Sequence, residues 1–357
     1  MLVALYRPLA IIVLVLAMAV AALLGTAQRY LEAPIELSDN SVVWTINSGG
    51  TLNKVNRQLY NQGVVNHPRL MALYGRFTGQ THIRAGQYNI ESGDTAKSLL
   101  DRFIRGEVIS YQITFPEGWA FDQWLQHLAK VEQFASISQL SSSQVMEAAG
   151  MDKQHPEGWL FPDTYSYIST DTALDILARA HQKMLMVLDS AWQQRSPDAP
   201  YNSPYEALIM ASIVEKETGL AEERPTIAGV FVRRLNRGMR LQTDPTVIYG
   251  LGDAYRGNLK RVHLKTYSPY NTYMIKGLPP TPIAMPSAAA IEAALHPADG
   301  TSLYFVARGD GGHYFSDSLE EHQKAVRQYQ IFRRAENYQS APRVDDEKSS
   351  PSNNQQQ

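Results

Sequence analysis

From Leu9 to Ala27 the chain is almost entirely apolar and carries no charged residue. At about 1.5 Å per residue, such a run is long enough to cross the hydrocarbon core of a bilayer as a helix. Beyond it the pattern breaks into short alternations and helical repeats. Val42 to Ile46 reads as a strand. Leu52 to Leu59 places apolar residues at helical spacing, Pro68 to Tyr74 reads as a second helix with proline in its first turn, and Gly86 to Ile90 alternates as a strand before a helix from Ala96. The order is strand, helix, helix, strand. Val108 to Phe115 alternates again, and Pro116-Glu117-Gly118 turns into an amphipathic helix with Trp119, Phe121, Trp124 and Leu128. Ser136 to Ser143 reads as a loop, followed by a short helix from Val145 to Ala149. Long helices are predicted over Asp171 to Trp192 and Thr226 to Arg237, and a hairpin over Leu303 to Phe315 turns at Gly309-Asp310-Gly311-Gly312. The tail from Ser340 has no apolar pattern and reads as disordered.

The strongest helix signal between these elements runs from Ser203 to Thr218. Ser203 at the N-cap, Pro204 after it and Glu206 three residues on form a capping-box pattern. On a wheel of about 100° per residue starting at Leu208, Ile209, Ile213, Met210 and Val214 fall between about 100° and 240°. Glu217 falls at about 180°, inside that arc, whereas Glu215 and Lys216 fall outside it. A carboxyl held against apolar side chains resists ionisation and can carry a proton near neutral pH, as a general acid must. Alternatively, Glu217 closes the helix by pairing with Arg224 or Arg233.

Composition narrows the chemistry. The 357 residues allow two or three domains, and a 44% hydrophobic content can fill real cores. A formal net charge of -2 gives no electrostatic case for nucleic acid. There is no cysteine, which excludes thiol nucleophiles, disulfides and cysteine metal sites and fits an oxidising compartment. The metalloprotease helix motif, the P-loop, the nucleophile elbow and the dinucleotide fingerprint are all missing, and His296, His313 and His322 are too scattered to argue a metal site. No cofactor and no metal are expected. Arg7 ahead of the apolar run places the N-terminus in the cytoplasm and the chain after Arg29 outside it. Gly25-Thr26-Ala27 loosely matches a signal-peptide cleavage site, but the run is longer than a signal core, favouring an uncleaved anchor.

Several donor-rich loops stand around the central helix. Glu157 to Tyr165 packs glycine, proline, aromatics and two acids into nine positions, a composition that suits a binding loop or a buried aromatic corner. Leu241 to Gly250, Ser268 to Tyr273 and Gly277 to Pro282 are read in the same way, as loops able to hold a polyhydroxylated ligand. Arg233, Arg234, Arg237 and Arg240 form a basic cluster expected to be solvated.

Two resemblances follow from these residues. Tyr88-Asn89-Ile90-Glu91-Ser92-Gly93-Asp94-Thr95 resembles the opening of LysM modules, which are small glycan-binding units. Val214-Glu215-Lys216-Glu217-Thr218, Leu241 to Gly250, Tyr270-Asn271-Thr272-Tyr273, Gly277-Leu278-Pro279-Pro280 and Ala294-Leu295-His296-Pro297-Ala298 resemble the endolytic murein transglycosylase (MltG, YceG-like) family over nearly the whole chain except the tail. The resemblance implies a single-pass inner-membrane protein of α+β class. Its expected divisions are a cytoplasmic N-terminus at 1–8, a transmembrane helix at 9–27, a stalk at 28–41, a LysM-like βααβ subdomain at 42–112, a larger mixed α/β periplasmic catalytic domain at 113–339 and a disordered tail at 340–357. It implies peptidoglycan glycan strands as substrate, leaves room for peptidoglycan synthases as partners, and puts the catalytic acid at Glu217. Gln242, Thr246, Tyr249 and Asn271 are then candidates to orient sugar groups, and Glu157 and Asp244 to bind sugar or steady the loops. An ordinary hydrolase pairing Glu217 with Glu157 or Asp244 is the rival within enzymes, and a membrane-tethered glycan-binding scaffold is the rival outside them.

Overall fold

The computed structural model describes residues 2–151 and 155–332; the tail assigned to 340–357 lies outside the described residues. The chain divides into two compact units, one comprising residues 1–113 and 166–171 and the other residues 114–165 and 172–357.

In the first unit, α1 (Leu2–Glu32) carries the apolar run and continues past Ala27 without a break. There follow β1 (Ser41–Ile46), α2 (Leu52–Asn61), α3 (Pro68–Phe77), β2 (Gly86–Glu91) and α4 (Ala96–Arg105). The strands pair antiparallel, Ser41 opposite Glu91 through Ile46 opposite Gly86. Alternation puts Trp44 and Ile46 of β1, and Tyr88 and Ile90 of β2, into a core with Leu59, Met71, Leu99 and Phe103 from the helices. The polar residues between β2 and α4 divide two tasks. Thr95 and Ser98 close a capping box at the start of α4, while Asp94 grips Arg102 with both carboxylate oxygens at 2.8 and 2.9 Å.

The chain leaves this unit through β3 (Tyr111–Thr114), which pairs with β4 (Thr164–Tyr167). Between them lie α5 (Phe121–Leu128) and α6 (Ser142–Ala148) of the second unit. The remaining elements are α7 (Ala173–Gln193), α8 (Pro204–Glu217), α9 (Arg224–Asn236), α10 (Asp244–Leu251), α11 (Arg261–Lys265), α12 (Ala288–Leu295), the hairpin β5 (Tyr304–Ala307) and β6 (His313–Ser316), and α13 (Leu319–Val326). The second unit is built around α8. Every residue from Ala207 to Val214 is buried, packed among Met184 and Leu188 of α7, Ile227 and Phe231 of α9, and Ile291 and Leu295 of α12. A helix apolar all round belongs inside a domain rather than on its surface. Truncating Leu208 or Ile213 to alanine would therefore cost about 2–5 kcal/mol.

The cap of α8 forms in modified form. Ser203 Oγ accepts the Glu206 backbone N–H at 3.4 Å, but the Glu206 carboxylate turns to the backbone N–H of Asn202 at 2.7 Å. The stretch from Leu241 to Gly250 is not wholly loop, because α10 begins at Asp244 with Pro245 in its first turn, where proline's missing N–H costs nothing. Arg234 is not solvated either. Its guanidinium is buried and donates to the carbonyl oxygens of Leu303, Arg240 and Leu241, tying the chain after α9 to the start of β5.

Candidate active site

The C-terminal end of α8 carries two glutamates with different partners. Glu215 accepts the Ser287 N–H at 3.0 Å and the Ser287 hydroxyl at 2.5 Å, and faces Arg224 Nη2 at 3.5 Å. Arg224 also reaches Glu117 at 3.7 Å, so the basic residue that might have closed on Glu217 is engaged elsewhere. Arg233 is likewise taken up by the carbonyl oxygens of Ser302 and Ala298. Glu215, expected to point away from the apolar side, is in fact shielded too, because Ser287 and Arg224 close over its carboxylate. What separates the two acids is the cation beside Glu215.

Glu217 has a hydroxyl for its partner: Thr243 Oγ1 donates to Glu217 Oε1. The residue keeps part of its surface open, yet protein crowds the carboxyl enough to strip its hydration. That loss pushes its pKa up to about 7; the Thr243 hydrogen bond opposes the rise and the nearby Asp244 charge adds to it. Near neutral pH the group is poised between acid and base, the condition for giving a proton and taking one back.

Thr243 reaches Glu217 because of how α10 starts. It occupies the N-cap position, yet its hydroxyl makes no cap bond, being spent on Glu217. Its backbone is fixed instead by Thr272, whose hydroxyl accepts the Thr243 N–H at 3.0 Å. Gln242, just before it, is exposed and holds φ +53°, a left-handed conformation uncommon outside glycine. Its N–H donates to the Thr272 carbonyl at 3.2 Å and its side-chain oxygen faces Arg234 at 3.4 Å. Asp244, also exposed, accepts the Tyr273 hydroxyl at 2.7 Å. Burial, with Asp244 alongside, raises the Tyr273 phenol and keeps it a donor.

The other residues singled out from the sequence separate into two kinds. Gln242 and Asp244 stand beside Glu217's partner with surface open to a ligand. Thr246 and Asn271 do not. Thr246 is fully buried, its hydroxyl shared with the Thr243 carbonyl and Thr272 Oγ1, both at 2.9 Å. Asn271, also buried, donates through Nδ2 to the carbonyls of His263, Leu264 and Thr266 and accepts the Tyr273 N–H at 3.0 Å. With no group left to reach a sugar, these two residues fold the loops that carry Thr243 and Tyr273.

Glu157 is 3% exposed. Oε1 accepts the Phe121 N–H at 2.9 Å and the carboxyl also takes the Tyr249 hydroxyl, but burial outweighs both and pushes the pKa up to about 7. Tyr249 packs edge-on against Tyr270 at 5.0 Å, and burial raises its phenol. Gly158 makes the depth of Glu157 attainable. It has φ +88°, and a Cβ there would lie 2.5 Å from Pro282 Cγ, so only glycine lets the loop lie so close. The loop's aromatics are occupied as well. Trp159 stacks on Tyr205 at 5.5 Å, and the Tyr165 hydroxyl donates to the Phe161 carbonyl. Asp163 pairs with Lys183.

A second support, unforeseen from the sequence, holds the end of α8. Thr218 Oγ1 accepts the Leu220 N–H at 3.0 Å and donates to Glu223 Oε2 at 3.4 Å. Glu223 in turn takes the His313 N–H at 2.8 Å and meets its Nδ1 at 2.7 Å. The residue next to Glu217 is thus tied to β6. A hydroxyl and two acids within six positions after the helix were the available signal, but nothing local marked His313 as their partner.

A carboxyl poised near 7 with a neutral hydroxyl partner, bordered by exposed amide and carboxylate groups, is an arrangement suited to acid–base catalysis. The model of the YceG-like family matches residues 44–328, and the chain belongs to that family. The endolytic murein transglycosylase of Bacillus subtilis (strain 168) is 31% identical over 331 residues, covering 86% of this chain and 91% of that protein. The endolytic murein transglycosylase of Streptococcus pneumoniae serotype 2 (strain D39 / NCTC 7466) is 30% identical over 350 residues, and the match spans 85% of this chain but 61% of that longer protein. A crystal structure of a yceG-like protein from Listeria monocytogenes aligns with a TM-score of 0.50 at 29% identity, covering 80% of this chain and 99% of the other.

Proposed function

We propose that this chain is an endolytic lytic transglycosylase that cuts peptidoglycan glycan strands at the β-1,4 bond between N-acetylmuramic acid and N-acetylglucosamine, and so limits strand length. The observation that carries the reading is Glu217, an acid raised to about 7 and paired with no cation among the described residues, in a chain of this family. Protonated Glu217 gives its proton to the glycosidic oxygen as the C1–O bond breaks. The resulting carboxylate then takes the proton of the muramyl C6 hydroxyl as that oxygen bonds to C1. The products are a 1,6-anhydro-muramyl end and a free 4-hydroxyl on the departing N-acetylglucosamine. No water is consumed, and Glu217 is returned protonated. Thr243 keeps the carboxyl oriented through both steps, and Gln242 and Asp244 are placed to take hydrogen bonds from the sugars.

The remaining assignments belong to the same proposal. α1 anchors the chain in the inner membrane with its N-terminus cytoplasmic, which puts residues 28 onward in the periplasm among glycan strands and peptidoglycan synthases. The unit formed by β1, α2, α3 and β2 serves as a LysM-like glycan-binding module. A periplasm-only reporter joined after Ser340 should be active and membrane-bound. A soluble product beginning near Gln28 would show cleavage instead.

Asp244 supports a second reading, because it lies close enough to raise Glu217's pKa and could activate water as the second carboxylate of a hydrolase. Digestion of purified glycan strands with the full chain, followed by mass spectrometry, separates the two. Anhydro ends, lighter than reducing ends by one water and arising within long strands, are expected. Reducing ends would establish the hydrolase. Bound but intact strands would leave only the scaffold.

A further inference from the structure

The membrane helix enters the first unit without a flexible joint. Leu31, in the last turn of α1, and Ile35 just beyond it lie in the core with Trp44, Leu52 and Leu99. One residue earlier, the Tyr30 hydroxyl accepts the His67 N–H at 2.9 Å, and the two rings meet edge-on at 4.8 Å. A cavity of about 240 Å³ beside this contact is lined by Leu23, Thr26, Ala27 and Tyr30 from α1 and by His67 and Leu70 from the start of α3. Leu23 belongs to the uncharged run that ends at Ala27. With α1 as the anchor, the first turn of α3 falls at the level where hydrocarbon gives way to headgroups, because Leu23 and Arg29 are only about 9 Å apart along the helix.

The outward side of α3 suits that level. Leu73 is 49% and Phe77 85% exposed, and half-buried Leu70 lies on the same stripe, three residues before Leu73. Exposed Arg69 and Arg76 sit seven residues apart and edge one side of the stripe. An exposed apolar stripe alone does not choose its occupant. Here the tether to the end of the apolar run and the arginines along the edge do, because interfacial helices set apolar side chains at the headgroup–acyl boundary and basic ones on anionic headgroups.

We propose that α3 is a bilayer-docking surface, with Leu73 and Phe77 in the interface of the membrane that holds α1 and with Arg69 and Arg76 on anionic headgroups. This rests on the reading of α1 as an anchor, and the test keeps the two apart. The chain has no cysteine, so single Leu73→Cys and Phe77→Cys variants of the full protein can carry a nitroxide label in phosphatidylethanolamine–phosphatidylglycerol vesicles. Leu16→Cys reports the anchor, and Asn61→Cys serves as an exposed reference. Labels at 73 and 77 should lose access to an aqueous nickel chelate and gain access to oxygen. They should regain chelate access when Arg69 and Arg76 are both replaced by Glu. If they stay as open to the chelate as the label at 61 while the label at 16 is sealed, docking is wrong and the anchor stands. A label at 16 open to the chelate overturns both. Shielding from chelate and oxygen together, growing with protein density in the vesicle, overturns the proposal in favour of a second copy of the chain.

Discussion

Replacing Thr243 with valine removes one hydroxyl, keeps the branched shape, and leaves the Thr243 N–H bond to Thr272 in place. In the native site the hydroxyl donates to Glu217 and opposes the rise that desolvation causes, leaving the carboxyl at about 7. A hydrogen bond to a charged acceptor contributes about 1.5–3 kcal/mol. The same hydroxyl can turn and accept from the protonated carboxyl, so the difference between the two forms is smaller, near 1.4 kcal/mol or about one pKa unit. The acid form starts catalysis, so activity is full below the Glu217 pKa and falls as pH rises through it. In Thr243→Val the falling limb of kcat/KM should move from about 7 to about 8. At about pH 8 the protonated fraction would rise from roughly one tenth to one half, making the variant about fivefold better protonated than the native enzyme. The assay is the release of anhydro-muramyl ends across the pH range, with Thr243→Ser as the control that keeps the hydroxyl. A limb that stays in place, or moves down, would refute the view that Thr243 sets the acidity of Glu217.

Glu217→Gln should lower the rate by about 100-fold to 10,000-fold with the fold intact by circular dichroism. Glu215→Gln should act first on stability, because among the described residues it leaves the Arg224 charge with only Glu117 beside it; urea unfolding should show a loss of roughly 2–4 kcal/mol, with the pH limb of the remaining activity unmoved. The Glu157 carboxyl is held at about 7 in the folded chain against an ordinary 4.5, so it contributes full stability below about pH 4.5 and progressively less as pH rises to about 7. Glu157→Gln removes that loss, and its unfolding free energy should exceed the native one by up to about 3 kcal/mol at about pH 8, with much less difference at about pH 5. Glu223→Gln weakens the tie that fixes Thr218; it should lower kcat by about 10-fold to 100-fold through misplacement of Glu217 while leaving KM nearly unchanged.

What the sequence revealed of this site follows from which interactions are local. Ser203, Pro204 and Glu206 mark the start of α8 within three residues, and the spacing of apolar residues places Glu217 among them. The wheel could not show that Glu215 is shielded as well, because its partners Ser287 and Arg224 come from α12's cap and α9. Thr246 and Asn271 look like ligand donors in a linear reading, since nothing in their neighbourhood reveals that the loops fold back on them. Thr243 lies in the Leu241–Gly250 stretch, where a hydroxyl before Asp-Pro is a helix-cap pattern and nothing more. That its hydroxyl leaves the cap for an acid 26 residues earlier is a tertiary fact. The order of β1, α2, α3 and β2 was legible because each element carries its own periodicity and its own turn.

The all-round burial of α8 from Ala207 to Val214 also fixes how the site can fail. Amide groups from Ile209 to Val214 have no solvated face through which the helix could fray, so their hydrogen exchange should proceed through unfolding of the whole second unit rather than by local opening. The segment on which the last turn and its acid stand therefore opens only with the whole unit. Heat should then leave the enzyme either fully competent or unfolded, and the temperature at which activity is lost should coincide with the temperature at which the slowest amides begin to exchange.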